Sequence, residues 1–265
     1  MKLIYYFFML IISITNLSAE TEGEIIKDIV FATASKKDLK LDLYLPKGNE
    51  KPNLVIYIHG GGWRGGSKKS VDVKWLVEYG YAVASISYRL VDVAIFPAQI
   101  YDCKAAVRWC RANGDKYGFK SKKIVVSGSS AGGQLAALLG TSAGISSLEG
   151  PIGNHLDKSS RVQGVIDFYG ATDFVLRSKT QPKRANEVGS VVYNYFGGGA
   201  DKKVEVAKAA SAAYHVTKDD PPFLVFHGDK DNVVLIDQSE KITEVYRREN
   251  LPIQFKVLKG AGHGG

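Results

Sequence analysis

An α/β architecture, a mainly parallel sheet with helices on both faces, is what the sequence predicts, and three observations carry it. Short apolar, β-branched runs alternate with helical segments along the chain. The central runs, NLVIYIH (Asn53 to His59), YAVASISY (Tyr81 to Tyr88) and KIVVS (Lys123 to Ser127), are mostly apolar, as strands covered on both faces are. A length of 265 residues suffices for one large domain and is short for two. With 45% hydrophobic, 23% charged and 11% aromatic residues, disordered, collagen-like and coiled-coil chains are excluded.

The elements follow in order. Met1-Lys2 gives a positive start, Leu3 to Ile14 is an apolar run, and Leu17-Ser18-Ala19 ends on a small residue before Glu20. Residues 1–19 read as a secretory signal peptide cleaved after Ala19, which makes the protein secreted or periplasmic. The run falls short of the ~20 residues of a spanning helix, and no later stretch reaches that length, so no stable membrane insertion is expected after cleavage. Residues 20–265 then form a single domain. Ile25 to Ala32 and Leu39 to Leu45 read as an edge hairpin. After the strand Asn53 to His59, helical segments are expected around Val71 to Tyr79 and from Ala98 to Tyr117, flanking the strand Tyr81 to Tyr88. Another helix starts after Ser130. Thr141 to Ser160, rich in Gly and Ser, reads as an irregular loop. Val162 to Tyr169, Phe223 to His227 and Ile253 to Leu258 are further strands, with a helix over Asp237 to Glu249. Phe174 to Tyr214 is too long for a plain crossover and is a candidate cap, an insertion around 174–214. In such a sheet, functional residues sit beyond the carboxyl ends of the strands.

The formal net charge of +8 raises nucleic acid as a partner. The basic residues, however, are scattered pairs, and the densest stretch, Lys116 to Lys123, holds only Tyr117 and Phe119 as aromatics, the latter a packing residue. A solvated basic surface is expected, with no nucleic-acid partner. Cys103 and Cys110, two helical turns or about 10 Å apart, are beyond disulfide reach and read as small apolar packing residues without metal-ligand spacing.

The 28 glycines concentrate at 60 to 66, 128 to 133, 197 to 199 and 260 to 265. Gly128-Ser129-Ser130-Ala131-Gly132 fits G-x-S-x-G where a strand meets a helix, a context that strains the central serine and presents its hydroxyl. His59-Gly60-Gly61-Gly62-Trp63 follows the third strand. The bare backbone of Gly61 and Gly62, with Ala131 behind the serine, would supply N–H groups to the oxyanion of acyl transfer. His59 braces this loop. Trp63 stands where it would stack on a sugar or aromatic acyl group, or else pack the loop. Serine needs a base. His263, in Gly260-Ala261-Gly262-His263, takes that role by elimination, since His155 and His215 lie in loops without a motif and His59 and His227 belong to other motifs. Three aspartates compete for the orienting acid. Asp231 is favoured because it lies far enough along its loop to turn toward His263, while Asp229 reads as a turn former and Asp173 as a brace near the serine.

Together, DLYLPKG (Asp42 to Gly48), HGGGW, SYRL, FPAQIYDCKAAVRW (Phe96 to Trp109), GSSAGG, DFYGATD (Asp167 to Asp173), PPFLVFHGDKD (Pro221 to Asp231) and GAGHGG resemble the α/β-hydrolase esterases of the hormone-sensitive-lipase-like group. They are most similar to its secreted bifunctional feruloyl and acetyl-xylan esterases. The resemblance implies an eight-stranded α/β-hydrolase and a serine hydrolase without metal or other cofactor. It assigns Ser130, Asp231 and His263 as the triad, and Gly61, Gly62 and Ala131 as the oxyanion hole. The implied partner is a small-molecule or polysaccharide ester. One departure stands out: such folds continue into a final helix after the histidine, whereas only Gly264 and Gly265 follow His263, so that helix is expected to be missing. Competing readings are a general short-chain esterase, an amidohydrolase resembling kynurenine formamidase, and, from another class, an inactive hydrolase-like binding protein.

Overall fold

The computed structural model describes residues 23–48 and 50–264, so the signal-peptide segment lies outside the described residues. Eight strands form one sheet: β1 (Ile25–Ala34), β2 (Lys37–Tyr44), β3 (Asn53–Ile58), β4 (Ala82–Ile86), β5 (Lys120–Ser129), β6 (Gly164–Phe168), β7 (Phe223–Gly228) and β8 (Ile253–Leu258). Their order is β1-β2-β4-β3-β5-β6-β7-β8. The β1–β2 hairpin is antiparallel and docks antiparallel on β4, and every other pairing is parallel. The chain leaves β3 toward β4 on one side and returns to β5 on the other, which opens a crevice at the carboxyl ends of β3 and β5. Register aligns the rim, with Gly128 of β5 opposite both Ile58 of β3 and Asp167 of β6.

The strands sort their side chains with a period of two. Leu54, Ile56 and Ile58 of β3 and Ala82, Ala84 and Ile86 of β4 face the larger core. That core also takes in α1 (Ala98–Tyr117), α2 (Ala131–Thr141) and α8 (Asp237–Arg248). The helix α1 ends at Gly118, whose left-handed φ of 76° closes the last turn. Cys103 and Cys110 are free and buried in it, as their spacing implies. Tyr57 and Val83 point the other way into a small cluster with Tyr44 and Val73.

Two expectations need correction. Val71 to Tyr79 holds only a 3-10 turn, Lys74–Val77, with no buried residue, and Trp75 and Tyr79 are exposed. The helices α1, α2 and α8 all feed the larger core, and this turn lies against the smaller cluster, with Val71, Leu76 and Val77 packed on it. The stretch from Thr141 to Ser160 contains the short α3 (Ser146–Glu149), whose Glu149 pairs with Lys104 and Arg108 of α1.

Residues 174–214 fold as α4 (Phe174–Thr180), α5 (Pro182–Ala185), α6 (Val191–Phe196), α7 (Val204–Ala209) and a 3-10 turn, Ala212–Tyr214. Two caps set the starts of these helices: Asp173 accepts from the Leu176 N–H and Ser190 from the Tyr193 N–H. Phe174, Tyr195 and Phe196 are buried in the main core, so the segment is packed against the fold.

Candidate active site

Ser130 sits between β5 and α2 with φ 54° and ψ −116°, a strained backbone for a side chain of any size. Its N–H donates to the Phe168 carbonyl and its own carbonyl accepts from Gln134, which fixes the turn from both sides. A side chain at Gly132 would drive into the carbonyls of Ile58 and His59, so the glycine allows α2 to approach β3.

Three predicted residues meet here. His263 Nε2 lies 2.9 Å from Ser130 Oγ, and His263 Nδ1 lies 2.7 Å from Asp231 Oδ2. With the proton on Nδ1, the imidazole donates to the carboxylate and accepts from the serine. Asp231 Oδ1 accepts from the N–H groups of Val233 and Val234 at 2.8 and 3.0 Å. Burial alone would raise the Asp231 carboxyl, but the bonds from His227, His263 and the two amides outweigh it and hold the group well below the usual carboxylate range. The other two candidate acids are engaged elsewhere: Asp173 caps α4, and Asp229 accepts from the Gly260 N–H, tying the loop after β7 to the loop after β8.

The serine opens on a cavity of about 490 Å³ whose walls include Gly61, Gly62, Ala131 and His263. Gly61 has φ 111°, which turns the loop at a conformation glycine accepts freely. Among the described residues no protein acceptor meets the N–H groups of Gly61, Gly62 or Ala131. Three free amides beside a serine hydroxyl can receive a developing oxyanion. His59 braces the loop: its Nδ1 donates to the Gly60 carbonyl at 2.7 Å, and its ring stacks on Tyr88. Burial lowers its pKa, partly offset by that bond.

Trp63 must be corrected as a substrate platform. The indole is 2% exposed, stacks on Tyr195 at 4.1 Å and 1°, and donates from Nε1 to Gln134 Oε1 at 3.1 Å. No ring face is left for a sugar or an acyl group, so its work is to fasten the glycine loop to α2 and α6.

Several contributors escaped sequence reasoning. Gln134 accepts from Trp63 and Tyr195 and donates to the Ala210 carbonyl, joining three segments through one amide. His227, fully buried, places Nε2 3.2 Å from Asp231 Oδ2 and so gives the carboxylate a second imidazole partner. Its position in HGDKD at a strand end was the available signal. Ser129 donates to Asp72, which also takes the Tyr57 hydroxyl, beneath the serine turn. Arg177 and Arg184 reach the cavity from α4 and α5, and nothing in their sequence context marks them.

An eight-stranded sheet of this order, with a strained serine at the end of its fifth strand, is the framework of the α/β-hydrolases, and the chain is of that class. Likeness to known proteins narrows it. The BD-FAE family model matches residues 41–246, and the chain belongs to that family. Esterase LipC of Mycobacterium tuberculosis is 34% identical over 215 residues, which cover 80% of this chain and 52% of LipC. The chain spans about half the length of the curated relatives it matches. Among solved structures, a truncated form of a carbohydrate esterase from gut microbiota superposes with a TM-score of 0.84 at 30% identity, covering 93% of this chain and 91% of that one. A bifunctional GH43-CE protein of Bacteroides eggerthii gives 0.83 at 31% identity, covering 91% and 35%.

Proposed function

We propose that this chain is an exported serine carboxylesterase that removes acetyl or feruloyl groups from plant polysaccharide through an acyl-Ser130 intermediate. The observation that carries this is the continuous hydrogen-bonded series from Ser130 through His263 to Asp231 on the wall of an open cavity. His263 Nε2 takes the Oγ proton as the serine attacks the ester carbonyl. The tetrahedral oxyanion is received by the amides of Gly61, Gly62 and Ala131, while Asp231 stabilises the imidazolium. His263 then returns the proton to the departing alcohol, and a water repeats the sequence to release the acid. The family and the carbohydrate esterase neighbour support a saccharide ester as substrate. The apolar leader of residues 1–19 supports export, which favours a polymer outside the cytosol over a metabolite within it.

The test is a substrate panel of acetylated xylan, methyl ferulate, 4-nitrophenyl acetate and N-formylkynurenine, each run beside a Ser130→Ala control. Serine-dependent release of acetate or ferulate from the first two is expected. Turnover of N-formylkynurenine alone would replace the reading by an amidohydrolase, and turnover of 4-nitrophenyl acetate alone by a general short-chain esterase.

A further inference from the structure

The cavity beside Ser130 carries an electrostatic feature that acyl transfer does not require. Three arginines, Arg64, Arg177 and Arg184, line it, and among the described residues no aspartate or glutamate does. Arg64 and Arg184 are exposed, but Arg177 is only 2% exposed. A cation withdrawn from water this far normally has a carboxylate against it. Elsewhere this chain obeys that rule: Lys104 and Arg108 are buried and share Glu149, and Arg89 grips Asp102. Arg177 is different. Its Nη2 donates to the Val233 carbonyl at 2.9 Å and its Nε meets no acceptor, and among the described residues no carboxylate lies within ion-pair distance. Of the two carboxylates in its field, Asp231 is committed to the two histidines, while Asp237 accepts from Gln238 through Oδ1 and leaves Oδ2 buried without a partner, outside ion-pair distance of Arg177. Burial, and then the like charge of Arg184, push the guanidinium down to about 10 from its ordinary value, so the two arginines repel each other across the space they share.

Two cations held together without a counter-ion, one of them desolvated, are costly for a fold and useful to a ligand. A guanidinium fork matches a carboxylate in plane and spacing, and a desolvated pair gains more than an exposed one. We propose that Arg177 and Arg184 form a carboxylate subsite of the Ser130 cavity, and that the preferred esters carry an acid group near the scissile bond. For a polysaccharide, such an ester is an acyl group on or beside a uronic-acid residue. The carboxylate could equally reside on the acyl half as a dicarboxylic monoester, and the chemistry that recognises it is the same. Arg64, exposed at the same cavity, adds long-range attraction for the anion. This inference rests on the ester-hydrolysing reading of Ser130.

Two matched pairs test it. For the alcohol side, 3-acetoxybenzoate is compared with its methyl ester. For the acyl side, phenyl hemiglutarate is compared with phenyl methyl glutarate. Within each pair the scissile bond is the same and only the charge differs, so the quantity read is the acid-to-ester ratio of kcat/KM in the wild type divided by that ratio in Arg184→Gln and in Arg177→Gln. A quotient of about ten or more in one pair is expected with either variant, with a weakening of the wild-type preference as salt rises. Whichever pair responds locates the carboxylate. Unchanged ratios in both pairs overturn the subsite while leaving the esterase intact. If Arg177→Gln fails to fold, Arg184→Gln, on the exposed side of α5, carries the test alone. If the wild type hydrolyses none of the four esters, the functional reading fails separately. Calorimetric binding of 3-acetoxybenzoate against its methyl ester to the Ser130→Ala chain, with and without Arg184→Gln, then decides the subsite: a carboxylate preference lost with the arginine supports it, and equal binding of the two compounds overturns it.

Discussion

Replacing Asp231 by asparagine tests the orientation of the base at nearly constant shape. In the native site Oδ1 accepts two backbone N–H groups, from Val233 and Val234, so the asparagine oxygen must remain there. Its NH2 group then occupies the Oδ2 position, 2.7 Å from His263 Nδ1 and 3.2 Å from His227 Nε2, and faces donors where the carboxylate faced them as an acceptor. The His263 ring answers by moving its proton to Nε2, where it donates to Ser130 and no longer accepts. General-base function is lost with the geometry kept, and a fall of about 10⁴-fold in kcat is expected, equivalent to about 5.5 kcal/mol of transition-state stabilisation. The assay is kcat on 4-nitrophenyl acetate at neutral pH, with circular dichroism confirming that the variant is folded. A folded Asp231→Asn chain that loses less than about tenfold would refute the assignment of Asp231 as the group orienting His263.

Further expectations follow from the same contacts. Trp63→Ala removes an indole stacked on Tyr195 and bonded to Gln134, and thermal or urea unfolding should report a loss of about 3–5 kcal/mol. Glu149→Gln leaves the buried Lys104 and Arg108 without their shared carboxylate and should cost about 3 kcal/mol by urea unfolding, more than a surface charge change would. Burial raises the fully buried Asp167 carboxyl from 3.8 to about 6, against the opposing Gly170 N–H bond. The native state therefore holds that proton more tightly than the unfolded chain, and its contribution to stability, full below about pH 4, is lost as pH rises through about 6. The difference in unfolding free energy between Asp167→Asn and wild type should grow by about 3 kcal/mol between pH 4 and 7, and a flat difference would show that Asp167 ionises freely in the fold.

The site was legible in the sequence to the extent that its chemistry is local. The serine turn needs Gly132 within two residues of Ser130, the loop proposed as the oxyanion hole is a run of consecutive glycines, and both sit at strand ends that β-branched runs announce. The sheet was legible for the same reason, and the long helix of 98–117 begins and ends where its periodicity does. What stayed hidden depends on contacts distant in sequence. Trp63 lies 71 residues from Gln134, and only the assembled core decides that its ring packs inward. Arg177 in its segment resembles any surface arginine until α4 folds against the loop after β7 and its Nη2 meets Val233. Over Val71 to Tyr79 the chain makes only a 3-10 turn, because Val71, Val73, Leu76 and Val77 meet a small cluster while Trp75 and Tyr79 stay exposed.

The central claim is that Ser130 is the nucleophile, and covalent labelling reads it directly. The folded chain is treated with a fluorophosphonate, and intact and peptide mass spectra are recorded for the wild type and for Ser130→Ala. The account predicts one adduct per chain, located on Ser130, and none on the variant. An unlabelled wild type, or an adduct that survives Ser130→Ala, would contradict it.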